Sequence, residues 1–402
     1  MILIDIPIYT YLAGCIVYNF VLSVAGRFTP RRQPAVQDPA RYNRIAILVP
    51  AYKEDGVILS TATSYTGLNY PKSHYDVIVI ADSLQPETLS ALRETNTKVI
   101  PVVFDKSTKA RSLNEAFRQL PDEYDIAVIA DADNVVETDF LLKVNSAYLN
   151  GAQAIQTQRV AKNLDTPFAI LDTANEIIGN HLYRKGANAI GLSSSVIGSG
   201  MAFHFPLIKT VMQEIQAIGG FDKVLQLRLI AHGQKIVYLE DALIFDEKVE
   251  NSGDFSNQRR RWLSSQIVYL RKFWSEGWRQ LFKGNVDYFN MAVCQNLMMP
   301  RMLLMASMIL FTLIALVLPS SLVTIPFSWW AVLFALNCIS LLLPIPAVFF
   351  RKYMLRALIS LPKAMFIMVM LLFRMKGANK TFIHTRHTKT GINNPLLDAA
   401  RK

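Results

Sequence analysis

Long and short apolar runs divide the chain into three regions. Residues 4–26 form one long apolar run, residues 42–250 alternate short apolar runs with segments of helical spacing, and the chain becomes apolar again after residue 285. A helix that crosses a bilayer needs roughly 20 apolar residues. The sequence therefore predicts spanning helices over 4–26, 303–323 and 327–350.

The charges beside the apolar runs predict an orientation. Arg27, Arg31 and Arg32 follow the first run, which favours a retained anchor with the following chain in the cytoplasm. The apolar stretch 354–373 precedes a second group of cations: Arg374, Lys376, Lys380, Arg386 and Lys389. If this stretch spanned the membrane, those cations would lie outside, against the positive-inside tendency. We therefore expect 354–373 to be an amphipathic helix in the cytoplasmic interface.

The middle region has the rhythm of buried strands that alternate with helices. Its short apolar runs are IAILV, DVIVIA, KVIPVVF, DIAVIA and QAIQTQ. Such runs are typical of parallel sheets covered on both faces, and they predict an α/β fold with a doubly wound, Rossmann-like, mostly parallel sheet. Sheets of this kind bind ligands at the carboxyl ends of their strands. The polar residues after Val49, Ile80 and Ile129 are therefore candidates for one shared site.

Composition narrows the class of protein. With 51% hydrophobic and 18% charged residues, the chain is more apolar than an ordinary soluble enzyme, and part of it should lie in lipid. The net charge of +11 fits nucleic acid, an anionic membrane surface or a phosphate-bearing substrate. Because the cations gather at membrane borders and near the candidate phosphate site, we expect no nucleic-acid partner. Cys15, Cys294 and Cys338 have no paired spacing that would predict a disulfide or zinc site.

The sharpest local motif is DIAVIADADNVVETDFL, in which Asp131 and Asp133 follow an apolar strand. Alternating carboxylates at a strand end can hold a hard divalent cation that bridges two phosphates. A pair of loop aspartates before a helix is the plainer interpretation of this motif alone. Its context strengthens the metal hypothesis, because Asp82 ends another strand and Lys109 begins a helix where a pyrophosphate would bind.

The end of the first strand and a glycine pair add candidates for ligand contact. After Pro50, the ring of Tyr52 can stack on a base, and the carboxylate of Glu54 can accept imide or ribose donors. The stretch IGSGMAFHF contains Gly198 and Gly200, which either let the backbone approach a bulky ligand or form a tight turn.

The basic segment FSNQRRRWLSSQ carries a third group. Gln258, Arg261 and Trp262 stand at i, i+3 and i+4, so they share one face of a helix. An arginine there can neutralise a leaving diphosphate, and a tryptophan can stack on a sugar ring. A basic helix face on lipid headgroups is the alternative interpretation.

In this order, VPAYKE, Asp82, KARSLN, DAD, GSG, GGFD and QRRRW resemble the membrane-bound family 2 glycosyltransferases of the cellulose, chitin and hyaluronan synthase type. The resemblance covers about residues 42–270, and its most specific element is the Gln-x-x-Arg-Trp pattern of processive members. It implies a GT-A type nucleotide-sugar-binding domain, a UDP- or GDP-sugar donor, a Mg²⁺ or Mn²⁺ ion and inverting transfer to an acceptor hydroxyl.

The same resemblance implies roles for individual residues. Those implied for donor binding are Pro50, Tyr52, Glu54, Asp82, Lys109, Asp131 and Asp133. Of these, Asp131 and Asp133 are the implied metal ligands. Those implied to contact the diphosphate or the acceptor are Gly200, Gln258, Arg261 and Trp262.

The chain departs from the family pattern at the catalytic base. GGFDKVLQLRL aligns with the Glu-Asp-x-x-Leu-x-x-Arg-Leu pattern and places Phe221 on the glutamate and Asp222 on the aspartate. We therefore predict Asp222 as the general base. A literal Glu240-Asp241 pair occurs downstream, where Asp241 is predicted to form a turn between two short strands. Only Asp82 stands where many relatives carry two aspartates.

These observations predict four parts of the chain: a transmembrane helix over 1–28, a cytoplasmic glycosyltransferase domain over 42–284, interfacial and transmembrane helices over 285–376 and a basic cytoplasmic tail over 377–402. The expected protein is an enzyme of membrane-associated polysaccharide or glycan synthesis in the inner or plasma membrane. Its expected partners are a nucleotide sugar, a glycan or lipid-linked acceptor and membrane lipids. Alternatives are a single-sugar transferase to a polyprenyl phosphate or other lipid-linked acceptor, and a non-catalytic nucleotide-sugar-binding subunit of a secretion complex. The sugar, its linkage and the acceptor are open.

Overall fold

The computed structural model describes residues 5–29, 41–215, 219–319, 322–374 and 387–400, with side chains up to residue 397. Several cations used to predict the topology lie outside the described residues: Arg31, Arg32, Lys376, Lys380 and Arg386.

One mixed sheet forms the centre of the domain. Its strands are β1 Ile45–Tyr52, β2 Tyr75–Asp82, β3 Thr97–Val102, β4 Ile126–Ile129, β5 Val135–Val136, β6 Ala154–Ala161, β7 Met201–His204 and β8 Ile236–Asp246. Their order is β3-β2-β1-β4-β7-β6-β8-β5. The pairs β1/β2, β1/β4, β2/β3 and β6/β8 are parallel, whereas β7 and β5 run antiparallel to their neighbours. The predicted α/β class with a mostly parallel sheet is confirmed.

The helices fall into a set around the sheet and a set beyond it. Around the sheet lie α2 Ile58–Thr66, α3 Pro86–Arg93, α4 Lys109–Gln119, α5 Phe140–Leu149, α6 Pro167–Asn180, α7 Ala187–Ala189, α8 Phe205–Gln213, α9 Phe221–Ala231 and α10 Ser252–Phe282. The other set is α1 Asp5–Phe28, α11 Val286–Phe289, α12 Gln295–Leu297, α13 Arg301–Val317, α14 Phe327–Leu342, α15 Ala347–Leu372 and α16 Pro395–Ala400. Two π-helical turns, His181–Gly186 and Asn290–Cys294, follow α6 and α11.

Both faces of the sheet are buried, as its apolar strands require. In β1, Ile45 and Ile47 pack with Tyr65 of α2 on one face. The alternate residue Leu48 packs with Leu113 of α4 on the other face. Because successive side chains of a strand point to opposite faces, a strand between two helix layers must be apolar throughout.

The apolar helices form a second body beside the domain. Leu12 and Ile16 of α1 pack with Leu304 and Met308 of α13 and with Trp330 of α14. Within the described residues, α1 and α15 are each long and apolar enough to cross a membrane. The bent pair Val286–Leu297 and Arg301–Val317 adds a third candidate if it counts as one span.

The predicted single span over 327–350 was wrong. Helix α14 ends at Leu342, and α15 starts at Ala347 after Pro344 and Pro346. Proline lacks the backbone N–H and restricts the preceding residue, so two prolines in this short stretch end one helix and allow the next to begin.

Helix α15 packs against the sheet domain along most of its length. Near its start, Phe349 and Tyr353 pack with Leu164 and Ile170, the latter on α6. Further along, the buried Ala364 packs with Phe168 of α6 and Phe255 of α10. At its end, Met368 and Leu371 pack with Leu263 of α10 and Leu303 of α13. One face of this helix is therefore covered by protein from its first turns to its last.

Candidate active site

The carboxyl ends of β1, β2 and β4 form one edge of a cavity of about 920 Å³. Tyr52 lies opposite Asp82 and Leu48 opposite Ile129 in the sheet register, so the residues after these strands meet at this edge. Of the residues predicted for the site, all but Gly200 line the cavity: Pro50, Tyr52, Glu54, Asp82, Lys109, Asp131, Asp133, Asp222, Gln258, Arg261 and Trp262.

Gly200 lies in the wall behind the cavity. Its φ of +62° is in the left-handed region, and a Cβ there would lie 2.6 Å from both Ile244 Cγ2 and Thr157 Oγ1. Its carbonyl oxygen accepts a hydrogen bond from Thr157 N at 2.8 Å. The predicted contact with diphosphate or acceptor is not supported for Gly200, because its missing side chain is explained by tight packing against the sheet.

Asp82 is buried at the end of β2, and one of its two carboxylate oxygens accepts no hydrogen bond from the described residues. Ser83 Oγ donates to its Oδ1 at 3.0 Å, but its Oδ2 has no hydrogen-bond partner among the described residues. Two residues beside Asp82 have strained backbones: Ser83, which follows it, and Lys53, whose backbone N–H donates to the Asp82 carbonyl oxygen at 3.1 Å. Their φ angles are +59° and +56°, values that non-glycine residues rarely adopt. Such strain concentrates at functional sites, and a buried carboxylate oxygen without a partner is suited to accept a hydrogen bond from a ligand.

Lys109 and Asp131 are ion-paired across the cavity edge. Lys109 is the first residue of α4, and its Nζ bonds to Asp131 Oδ1 and to the carbonyl oxygen of Gly198, the latter at 2.7 Å. The backbone N–H of Asp131 donates to Asn134 Oδ1 at 3.1 Å, which fixes the loop after β4. A cation at a helix start thus lies directly beside the first aspartate of the motif.

Asp133 is a second buried carboxylate of this edge, with a relative exposure of 2%. Its Oδ2 accepts from Glu247 N at 3.2 Å and its Oδ1 from Asn134 Nδ2 at 3.2 Å. Burial, and then the carboxylates of Asp246 and Asp131, raise the pKa of Asp133 to about 6, although the nearby His387 acts in the opposite direction. A negative charge here is costly until a cation offsets it.

His387 was missed by the sequence analysis. Its Nδ1 lies 3.0 Å from Glu54 Oε1, although the two residues are 333 positions apart. Burial opposes protonation, but the hydrogen bond to Glu54 and the carboxylate of Asp133 raise the pKa of His387 to about 10. The signal that the sequence offered was the predicted basic tail over 377–402, whose stretch NKTFIHTRHTKT contains His387.

Asp222 lies in the first turn of α9, which starts immediately after Gly220 in the left-handed conformation. Burial raises the pKa of its carboxyl group. A Cβ at Gly220 would lie 2.9 Å from Tyr269 Cε2, so this approach requires glycine. The charge of the neighbouring Lys223 opposes this rise in pKa, while its Nζ donates to Asn296 Oδ1 at 2.9 Å. Asp222 is thus a carboxylate of raised basicity on the cavity wall.

Asp241 lies elsewhere. It belongs to the continuous strand β8, and its carbonyl oxygen accepts from Lys143 Nζ of α5 at 2.9 Å. The predicted turn between two short strands was wrong. The partner strand β6 shifts register between Thr157 and Gln158, which lie opposite Leu239 and Leu243, so residues 240–242 form a bulge.

The face of α10 that carries Gln258, Arg261 and Trp262 closes the cavity opposite the strand ends. Gln258 Oε1 is buried without a hydrogen-bond partner among the described residues. Arg259, which the motif leaves unspecified, pairs with the buried Asp172 of α6 and has its guanidinium carbon 4.3 Å from the centre of the Trp262 ring. That stack supports the orientation of the indole.

A buried ion network underlies this wall. Glu176 of α6 pairs with Arg159 at 2.7 Å and with Arg184 at 3.3 Å, and Lys248 pairs with Asp246 at 2.8 Å. These residues come from β6, α6, a π-helical turn, β8 and the loop after it. Sequence analysis did not find them, because neither their spacing nor their surroundings distinguish them from surface charges.

A mixed sheet of this order, with an Asp-x-Asp loop at its ligand-binding edge, defines the GT-A fold of glycosyltransferases that bind nucleotide sugars. The sequence profile described as "Glycosyltransferase like family 2" matches residues 42–265. The chain belongs to that family.

Two named relatives are similar in sequence. The probable glycosyltransferase YdaM of Bacillus subtilis is 23% identical over 243 residues, which are 57% of this chain and 57% of that protein. The β-monoglucosyldiacylglycerol synthase of Synechocystis is 23% identical over 320 residues, which are 74% of this chain and 64% of that protein. The chain thus spans less than two thirds of the length of each.

One solved structure is similar over nearly the whole chain. The mannosyltransferase PcManGT of Pyrobaculum calidifontis, in complex with GDP-mannose and Mn²⁺, has a TM-score of 0.54 and 14% identity. The match covers 91% of this chain and 95% of that one. At this identity it establishes a shared fold.

Proposed function

We propose that this protein transfers a sugar from a UDP- or GDP-sugar to an acceptor hydroxyl in membrane-associated polysaccharide or glycan synthesis, with inversion at the anomeric carbon. The observation that carries the proposal is the single cavity that joins the strand-end carboxylates, Asp222 and the Gln258-Arg261-Trp262 face. A donor site, a base and a face for the departing diphosphate are the three parts that such a transfer needs.

The donor nucleotide would occupy the ends of β1 and β2. The free oxygen of Asp82 suits an N–H or O–H of the base or ribose, and the ring of Tyr52 suits stacking. Lys109, at the N-terminus of α4, would attract the diphosphate by its own charge and by that of the helix end.

The side chains available as metal ligands at this site fit a divalent cation in part. Among the described residues, no three His, Cys, Asp or Glu side chains converge as a complete metal site. Mg²⁺, however, is commonly held by one or two carboxylates together with substrate phosphates, and Asp131 and Asp133 would supply those carboxylates. The bound ion would screen the charge of the leaving diphosphate. PcManGT, of similar fold, was solved with Mn²⁺ and GDP-mannose.

Asp222 would act as the general base. Its carboxylate takes the proton of the acceptor hydroxyl while the hydroxyl oxygen attacks the anomeric carbon. The bond from that carbon to the diphosphate oxygen breaks on the opposite side, and the nucleoside diphosphate leaves with the bonding electron pair. A partly buried carboxylate of raised pKa accepts a proton better than an ordinary surface aspartate.

The packing of α15 supports its predicted interfacial position. A helix that crossed the bilayer would leave the cytoplasmic domain after a few turns, whereas α15 contacts α6 and α10 from Phe349 to Leu371. We therefore place it against the cytoplasmic surface, with α1 as a spanning anchor. In a cysteine-free background, Thr390→Cys should react with an impermeant maleimide only after permeabilisation. Labelling in intact cells would contradict this topology.

A second candidate is the addition of one sugar to a lipid-linked acceptor. The similarity to β-monoglucosyldiacylglycerol synthase over 74% of this chain favours it. The Gln258-Arg261-Trp262 pattern favours repeated addition instead.

The decisive experiment uses the full-length protein purified with native lipids and a panel of UDP- and GDP-sugars. Nucleotide release and product length are measured together. Long glycans support polymer synthesis, and a lipid that carries one sugar supports the second candidate. Nucleotide binding without transfer or hydrolysis would contradict both.

A further inference from the structure

One end of the cavity, which we call the far end, has an apolar lining contributed by helices beyond the sheet. Its side chains include Met298, Met299, Met302 and Met368, together with Pro300. Three of these methionines flank the start of α13, and Met368 lies near the end of α15. Methionine is flexible and adapts to irregular apolar partners. The cavity therefore opens toward two of the apolar helices through a surface suited to hydrocarbon.

Arg301 lies within this apolar end and lacks a counter-ion. Its Nη2 donates to the carbonyl oxygen of Asn175 at 3.0 Å and to Asn175 Oδ1 at 2.6 Å, and both acceptors are uncharged. Its Nη1 is buried and has no acceptor among the described residues. Within that part of the chain, no carboxylate lies within ion-pair distance of Arg301. The guanidinium carbon lies 5.5 Å from the centre of the Tyr183 ring, and Glu176 acts on it only beyond ion-pair distance. A partly buried cation with no carboxylate in contact is costly, and an anionic ligand would reduce that cost.

The neighbouring charges do not supply the missing anion. Asp172 is paired with Arg259. Glu176 pairs with both Arg159 and Arg184, and Lys248 Nζ lies 3.6 Å from Glu176 Oε2. Asp246 also pairs with Arg159 and Lys248, so four cations face three carboxylates in this network before Arg301 is counted. The local field favours one more negative group.

The N-terminus of α13 also favours an anionic ligand at this end of the cavity. This helix of 17 residues begins at Arg301, and its N-cap residue Pro300 provides no side-chain hydrogen bond to the first turn. Backbone N–H groups at an uncapped helix start carry partial positive charge and bind phosphate readily. Pro300, Arg301 and Met302 all line the cavity.

We propose that this end of the cavity binds the phosphate group of a lipid acceptor, with Arg301 as its main ligand. The hydrocarbon chain would run along the methionines toward α13 and α15, and the reacting hydroxyl would face Asp222. This inference rests on the proposed transferase function, because it names the chemical class of the acceptor. A neutral glycan end would leave the charge of Arg301 unbalanced, and free phosphate would leave the apolar lining uncovered.

The test measures lipid binding by the full-length protein in a nonionic detergent, without any sugar donor. Dioleoyl phosphatidic acid and dioleoylglycerol carry the same acyl chains and differ in the phosphate. Native mass spectrometry should show roughly tenfold to hundredfold tighter binding of the phosphate-bearing lipid, as expected for charged hydrogen bonds. Arg301→Gln should abolish most of this preference, whereas Arg301→Lys should retain much of it because the charge remains.

The matched control is Arg279→Gln, since Arg279 is an exposed arginine of α10 that pairs with Glu276. It should keep the wild-type preference. Equal binding of the two lipids by the wild type would overturn the proposal, as would an unchanged preference in Arg301→Gln. Displacement of phosphatidic acid by inorganic phosphate at matched concentration would overturn the lipid assignment.

Arg301→Gln must be shown to fold, for which nucleotide binding serves as the check. If it does not fold, the wild-type comparison and Arg301→Lys decide the outcome. Because no donor is present, loss of the lipid preference is separate from failure of the transferase proposal, which nucleotide-sugar turnover measures independently.

Discussion

The two ends of the cavity are built in different ways. At the donor end, Asp82, Asp131 and Asp133 follow strands of one sheet, and the topology alone brings them together. At the far end, Arg259 and Arg301 come from helices α10 and α13, and only helix packing brings them to α6, where Arg259 pairs with Asp172 and Arg301 bonds to Asn175. The donor end is rich in carboxylates that stand in short, local sequence motifs. The far end is positive, apolar in part and assembled from distant segments.

The opposite charges of the two ends suit opposite ligands. The buried carboxylates of the donor end are stabilised by a cation or by hydrogen-bond donors. Arg301 at the far end is stabilised by an anion. A nucleotide sugar with its metal ion and a phosphate-bearing lipid acceptor would satisfy one end each, and Asp222 lines the same cavity.

The largest effect is expected from removal of the buried charge at the donor end. Asp133→Ala should reduce transfer to the background rate, because it deletes a carboxylate that would hold the metal ion. It should also weaken Mn²⁺ binding, which electron paramagnetic resonance measures without turnover. The lipid preference at the far end should persist, since Asp133 is not among the contacts of Arg301.

The control for Asp133→Ala is Asp122→Ala, an exposed aspartate that pairs with Lys209. It should leave both transfer and Mn²⁺ affinity unchanged. Full transfer by the wild type in excess chelator would contradict the metal hypothesis.

The next largest effect is expected at Asp222, the proposed general base. Asp222→Asn should retain nucleotide affinity and lose transfer by roughly 10² to 10⁴, the usual contribution of a general base. Asp241→Asn should stay active, because Asp241 lies in the β8 bulge and its carbonyl binds Lys143 of α5. Steady-state rates and nucleotide titrations on both variants provide the measurement. An active Asp222→Asn beside a folded, inactive Asp241→Asn would move the base to β8.

The donor end could be predicted from sequence because its signals are local. Apolar runs marked the strands, and the rule that parallel sheets bind ligands at their carboxyl ends placed Asp82, Asp131 and Asp133 together. The family resemblance added Asp222 and the Gln258-Arg261-Trp262 face, which line the same cavity. The antiparallel placement of β7 and β5 was not predicted, because strand direction depends on chain connections that periodicity does not encode.

The far end could not be predicted, since its contacts join residues with no local pattern. Arg301 reads as an isolated cation before an apolar run, and Asn175 reads as a polar helix residue. The contact of His387 could not be predicted either, because its partner Glu54 is distant in sequence. The two interpretations of Gly200 could not be separated for a related reason: a glycine needed for packing and one needed for ligand approach look alike in a sequence.

A smaller effect is expected from the free oxygen at the donor end. Asp82→Asn should weaken the binding of UDP or GDP by about tenfold, because a charged acceptor makes a stronger hydrogen bond than an amide. The rate at saturating donor should change little. Calorimetric titration of both nucleotides measures the effect, and the exposed Asp105→Asn is the control. Unchanged affinity would mean that the base or ribose does not contact Asp82.

The smallest predicted effect is a difference in pH dependence between metal binding at the donor end and lipid binding at the far end. Metal binding needs the ionised form of Asp133, whose pKa is raised to about 6 in the metal-free protein, mainly by burial. Below that pH the ionised fraction falls by up to about tenfold per pH unit, so Mn²⁺ affinity should fall in the same proportion, and above it the affinity should level off. The guanidinium group of Arg301 stays protonated throughout this range, and the phosphodiester of dioleoyl phosphatidylglycerol stays ionised. Binding of that lipid should therefore be constant between pH 5 and pH 8, in the same buffers in which Mn²⁺ affinity declines toward the acid side. Parallel acid losses of metal and lipid binding would mean that one shared carboxylate network, and not two independent charge sets, governs both ends of the cavity.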